Sequence, residues 1–158
     1  MKRIKPSEGN KTFCMAPWTH TYLSPQMERR LCCSSRETPE NFEHYIDSVD
    51  QTGKTDKLHL TTLKEHWNSD YMKSVRLKLL AGEEIPQCAV CNYKLLNEQV
   101  YRQHFNWLYK NKVDEAYDST DETGATTMQV ESFDYRFSNL CNFCLLYTSD
   151  AADEVDRV

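Results

Sequence analysis

No run of apolar residues in this chain approaches the length of a membrane span. Met1-Lys2-Arg3 is followed by polar residues rather than by a secretory apolar region. Both observations point to a protein of the cytoplasm with no membrane contact. Basic clusters are also missing. Beyond the pair Arg29-Arg30 none occurs, and the net charge is -5. A nucleic-acid-binding surface needs the opposite balance. Apolar residues make up 39% of the chain, below the usual share for a globular protein. The core must therefore be small, although nine Tyr, six Phe and three Trp supply volume for it. A length of 158 residues suits one domain and the start of another.

Cysteine, by contrast, is plentiful, with seven in the chain. In a reducing compartment such thiols point to metal or redox chemistry rather than to structural disulfides. Cys88-Ala89-Val90-Cys91 places two of them on one tight turn, at a bite that suits one metal ion or one edge of a cluster. That turn needs two further ligands, and Cys14 with the Cys32-Cys33 pair offers three candidates. The first 110 residues read as a small domain folded around a sulfur-ligated metal centre. The competing reading is buried free cysteine, which behaves as a small hydrophobe.

Residues 1–12 are polar and form a loose lead-in. Pro17 argues for an extended conformation around Phe13–Trp18 and against a helix. Thr19 to Leu23 is rich in β-formers, Ser24-Pro25-Gln26 has turn chemistry, and Glu28 to Cys33 can return. Residues 18–33 are thus expected to form a β-hairpin. Strand alternation puts Cys32 and Cys33 on opposite faces, so one of them faces the metal. Residues 34–61 read as irregular, with a helical turn at Phe42, Tyr45 and Ile46. His20, His44 and His59 are scattered, and each reads as a surface or hydrogen-bonded histidine.

Met72, Val75, Leu79 and Leu80 predict a helix over 69–80, capped by Asn68 or Ser69 and stopped at Gly82. Lys73, Arg76 and Lys78 read as its solvated flank. A second helix is expected over 92–109, with Leu96, Val100, Trp107 and Leu108 on its apolar face and Tyr101 and Phe105 beside them. Residues 111–126, polar and acidic, read as a linker. Residues 127–137 read as a strand, ending at Ser138-Asn139-Leu140-Cys141-Asn142-Phe143.

Three stretches together resemble radical SAM proteins that carry a SPASM/twitch-type auxiliary iron–sulfur domain. Cys14, twelve residues, Met27, four residues and Cys32 are similar to the family's C-x(9–15)-G-x4-C hairpin, with Met27 where the family has Gly. Trp67-Asn68-Ser69 through Gly82 to Cys88 and Cys91 looks like the helix and cysteine turn that follow. Phe133 to Asn142 resembles the first strand of a radical SAM barrel and the opening of its C-x3-C-x2-C loop, with Cys141 as the first cysteine. The resemblance implies an α+β fold: a hairpin and helices around a Cys-ligated cluster over 13–110, then, over 127–143, the start of an incomplete partial TIM barrel.

By the same resemblance the metal ligands are Cys14, Cys32, Cys88 and Cys91, with Cys32 rather than Cys33. They would hold a 4Fe-4S or 2Fe-2S cluster. The intact family protein carries a second 4Fe-4S cluster that binds S-adenosylmethionine, and its substrate is often a peptide or protein. Leu145 and Thr148 stand where the catalytic loop needs cysteine, and Cys144 is at the wrong spacing. Residues 144–158 resemble translated sequencing adapter and are expected to be non-native read-through. The chain is then expected to be a fragment, inactive by itself. A structural zinc-binding interaction module is the alternative, because zinc takes the same four thiolates.

Overall fold

The computed structural model describes residues 2–25, 28–36, 43–44, 62–94 and 100–136. In chain order these contain α1 (Ala16–Thr19), β1 (His20–Leu23), β2 (Glu28–Arg30) and β3 (Glu43–His44). There follow α2 (Leu63–Trp67), α3 (Asp70–Leu80), α4 (Ala89–Lys94), α5 (Tyr101–Leu108), α6 (Val113–Asp118) and β4 (Ser132–Tyr135). The fold is α+β. Its sheet has the strand order β3-β2-β1-β4. β1 and β2 form the expected antiparallel hairpin, with Tyr22 opposite Arg30. β4 lies parallel to β1, from His20 opposite Ser132 to Leu23 opposite Tyr135. The strand near the end of the described chain thus shares a sheet with the hairpin near its beginning. β3 falls in the stretch expected to be irregular. The expected turn at Phe42, Tyr45 and Ile46 lies outside the described residues. Among the described residues no helix is long and apolar enough to cross a membrane.

Pro17 does not exclude a helix. It occupies the first turn of α1, where its missing N–H is one that would have no intrahelical partner anyway. α3 matches its sequence signals. The Ser69 hydroxyl accepts from the Met72 N–H at 3.3 Å, and Met72, Val75, Leu79 and Leu80 are buried. Its end is a Schellman turn around Gly82 (φ +77°). There the Glu83 N–H donates to the Lys78 carbonyl and the Gly82 N–H to the Leu79 carbonyl. The short α2 before it is set by a capping box between Thr62 and Glu65.

Arg76, expected on a solvated flank, is instead fully buried. It donates from Nε to the Pro17 carbonyl (2.9 Å) and from its terminal nitrogens to Asn68 Oδ1 (2.9 Å) and the Trp67 carbonyl (2.7 Å). Its guanidinium also lies 4.9 Å from the centre of the Trp67 ring. Burial pulls its pKa down to about 9. Arg76 joins α1, the α2–α3 junction and, through Asn68, the segment at Thr126, which packs beside it.

The second expected helix is two helices, α4 and α5. Val100, just before α5, is extended (φ −118°, ψ 157°) and breaks the run. The apolar face also differs. Phe105 and Arg102 are buried, whereas Trp107 is 68% exposed and Leu108 49%. Leu96 lies outside the described residues.

The stretch read as a linker is folded. Ala116 on α6 and Thr120 after it are buried, and the Trp18 indole N–H donates to Thr120 Oγ1 at 2.7 Å. Asp121 then organises a tight turn, its Oδ1 accepting from the N–H groups of Thr123 (2.8 Å) and Ala125 (3.0 Å). Gly124 (φ +89°) permits that turn to press on α3, since a Cβ there would collide with the Lys73 carbonyl. The chain continues past Met128, whose carbonyl accepts from the Trp67 indole at 2.7 Å, into β4.

Candidate metal centre

Three backbone segments converge below α3 and α5. The first carries Cys14. Asn10 donates from Nδ2 to the Leu79 carbonyl at the end of α3 (2.8 Å). Its Oδ1 accepts from the N–H groups of Thr12 and Phe13, both at 3.2 Å. On α5, Asn106 Nδ2 donates to the Phe13 carbonyl (2.9 Å) and Asn106 Oδ1 accepts from the Met15 N–H (2.8 Å). One side chain thereby holds the backbone on both sides of Cys14, which is buried.

The second segment carries Cys32 and Cys33. β2 ends at Arg30, so the alternation expected of a strand does not apply to these residues. They sit in a turn closed by Ser35, whose N–H and hydroxyl both donate to the Cys32 carbonyl, at 3.1 and 2.8 Å. The third segment is the Pro86–Cys88 3-10 turn leading into α4, where the Cys88 N–H donates to the Ile85 carbonyl at 3.0 Å. Arg36 ties the second segment to the third, its N–H donating to the Gln87 carbonyl at 2.9 Å.

Cys14, Cys32, Cys88 and Cys91 all line one cavity of about 20 Å³, together with Leu31, Leu79 and Phe105. That is room for about one water. Cys33 is not in its lining; it lies beside Tyr101, whose hydroxyl pKa it raises. Arg102 also lines the cavity, 97% shielded from solvent. Among the described residues, no three His, Cys, Asp or Glu side chains are gathered tightly enough to grip a single metal ion.

Burial dominates the chemistry of the Cys14 and Cys32 sulfurs. It pushes the Cys14 thiol up to about 12, with the neighbouring Cys88 and Cys91 adding to the rise and Arg102 opposing it. Cys32 is raised for the same first reason, with Cys14, Cys33 and Cys88 as further contributors. Protons therefore stay on Cys14 and Cys32 until a cation replaces them.

His20 makes a 2.8 Å hydrogen bond between Nδ1 and Ser132 Oγ, and its ring packs 4.8 Å from Phe105. It serves the β1–β4 pairing. His59, Cys141 and residues 144–158 lie outside the described residues. The sequence reading missed Arg102, Asn106 and Asn10. Arg102 and Asn106 stand at i and i+4 on α5, flanking Phe105 on its buried side. That polar pair was the available signal, masked by the more conspicuous aromatics.

Compared with protein-family models, curated proteins and solved structures, the chain matches none.

Proposed function

We propose that this chain is the auxiliary iron–sulfur portion of a radical SAM enzyme, with Cys14, Cys32, Cys88 and Cys91 as the cluster ligands. The observation that supports the reading is the meeting of these four thiols, from three separate stretches, in one cavity. Buried cysteines acting only as hydrophobes have no need to meet there. The donor set suits the group: four thiolates complete the ligation of a 4Fe-4S or 2Fe-2S cluster. When bound, such a cluster supplies one-electron transfer. The chain's own contribution is to hold the four sulfurs, keep water out with Leu31, Leu79 and Phe105, and place a guanidinium beside them.

Two features bear differently on which metal binds. The cavity, at about 20 Å³, suits a single ion. This favours the second reading, a structural zinc module, in which four sulfurs close on one ion at about 2.3 Å. Against it, no three His, Cys, Asp or Glu side chains among the described residues are gathered around a single-ion position. Rotation about χ1 moves the sulfurs and the gap between them together, so the choice of a cluster rests on the sequence resemblance, and metal analysis decides between the two.

The wider part of the proposal rests on the sequence resemblance. In the intact enzyme Cys141 would be the first ligand of a second, catalytic 4Fe-4S cluster that binds S-adenosylmethionine, and the substrate would be a peptide or protein. The β4 strand would open the barrel. With Leu145 and Thr148 where that loop needs cysteine, this polypeptide alone is expected to yield no 5′-deoxyadenosine. The test is anaerobic purification and reconstitution followed by metal analysis. Iron with acid-labile sulfide is the expected result. One zinc per chain would replace the reading with the second, and neither metal would leave the cysteines as core residues.

A further inference from the structure

Arg76 and Arg102 are both buried, and their guanidinium groups differ in one respect. Arg76 uses all three of its nitrogens on the protein, with Pro17, Asn68 and Trp67 as acceptors. Arg102 does not. One terminal nitrogen donates to the Lys11 carbonyl at 3.0 Å and the other to Asn92 Oδ1 at 2.6 Å. Its Nε is buried and without a hydrogen-bond partner. Both acceptors are neutral. A buried guanidinium with a spare donor and neutral acceptors is costly, because burial of an uncompensated charge and of an unmade hydrogen bond both oppose folding.

The place of that spare donor is informative. Arg102 lines the same cavity as Cys14, Cys32, Cys88 and Cys91. A centre held by four thiolates carries net negative charge, and sulfur accepts hydrogen bonds from N–H groups. We infer that Arg102 balances the charge of the iron–sulfur group bound at these cysteines and donates its Nε–H to that group. The inference rests on the function proposed above and adds a residue to it. The two terminal nitrogens, fixed to Lys11 and Asn92, act as the mount. Since Asn92 directly follows Cys91 and Lys11 lies three residues before Cys14, the mount belongs to two of the segments that carry the ligands. Net charge and hydrogen bonds to sulfur are among the factors that set a cluster's potential. A positive charge here favours the reduced, more negative state.

The experiment compares the reconstituted full chain with Arg102→Gln and Arg102→Lys. Iron, acid-labile sulfide and the midpoint potential are measured, the last by redox titration followed by electron paramagnetic resonance. Arg102→Gln should hold iron with a midpoint shifted to more negative potential. Arg102→Lys, which keeps the charge, should restore most of the shift. A purely structural arginine would alter iron content in both variants without that split. Should Arg102→Gln fail to fold, wild-type protein labelled with ¹⁵N at arginine decides. Its reduced cluster should show hyperfine coupling to a guanidinium nitrogen. A fully loaded Arg102→Gln protein with an unmoved midpoint, or a loaded wild type without that coupling, overturns the role of Arg102 and leaves the cluster reading standing. A wild type that takes up no iron and sulfide sinks both.

Discussion

At the scale of single residues, burial decides behaviour more than residue type does. Arg76 belongs to a class of side chain that is mostly exposed, yet it is the joint between α1, α2 and α3. Replacing it with Met keeps much of its apolar stem but leaves the Pro17 and Trp67 carbonyls without their donor. Each orphaned buried acceptor costs about 1–3 kcal/mol, so Arg76→Met should lose about 3 kcal/mol or more. Urea unfolding measures this, and a midpoint unchanged from wild type would show that the joint carries no stability. His20 gives a prediction about pH. Burial lowers its folded pKa below the ordinary 6.5, with Asp134 opposing the shift. The unfolded chain therefore binds a proton more readily than the folded one. The stabilising contribution is full above about pH 6.5 and is lost as pH falls through the folded value. The melting temperature of the wild type should drop more steeply on acidification than that of His20→Gln, which cannot titrate there.

At the scale of elements, α5 shows how composition and orientation come apart. Its aromatics are spread around the helix, so more than one apolar stripe can be drawn through them. Packing against Cys14, His20 and the 10–15 segment selects the stripe of Phe105, with Arg102 and Asn106 as the polar residues that hold that segment. Trp107, the largest side chain on the helix, faces solvent at 68% exposure. Phe105→Ala should therefore cost about 3–5 kcal/mol. Trp107→Ser, away from such features, should fall within about 0.5 kcal/mol of wild type. Calorimetry on the pair reads the difference directly. Equal losses would mean that the helix is turned the other way.

At the scale of the whole molecule, the described chain closes on itself. β4 pairs with β1, Met128 and Thr126 bond to Trp67 and Asn68, and Thr120 bonds to Trp18. Phe13, Trp18, Trp67 and Phe105 consequently share one core with Ala116 and Met128. A shorter chain ending at Ala125 removes β4 and the Met128 acceptor together, leaving the Trp67 indole N–H and one edge of β1 without partners. It should lose cooperative unfolding, as followed by circular dichroism against temperature. A sharp transition at the wild-type temperature would show instead that the region around the cysteines stands alone.

The sequence by itself was sufficient for local features. Ser69 and Gly82 bracket α3 because a cap and a left-handed stop act within a few residues. The β1–β2 hairpin follows from its β-formers and turn residues for the same reason. The four cysteines lining one cavity were named from spacing and resemblance, although Cys32 lines it because a turn follows Arg30, not because of strand alternation. What only the tertiary structure decided depends on partners distant in the chain. The burial of Arg76 and Arg102 needs carbonyls contributed by Pro17 and Lys11. The parallel place of β4 beside β1 needs a register across more than a hundred residues. The folded turn at Asp121–Ala125 needs α3 to press against, and polar residues that read as linker become structure once Arg76 and Asn68 reach them. Such contacts leave no periodic trace, since each is a single hydrogen-bonding group meeting another that is remote in the chain.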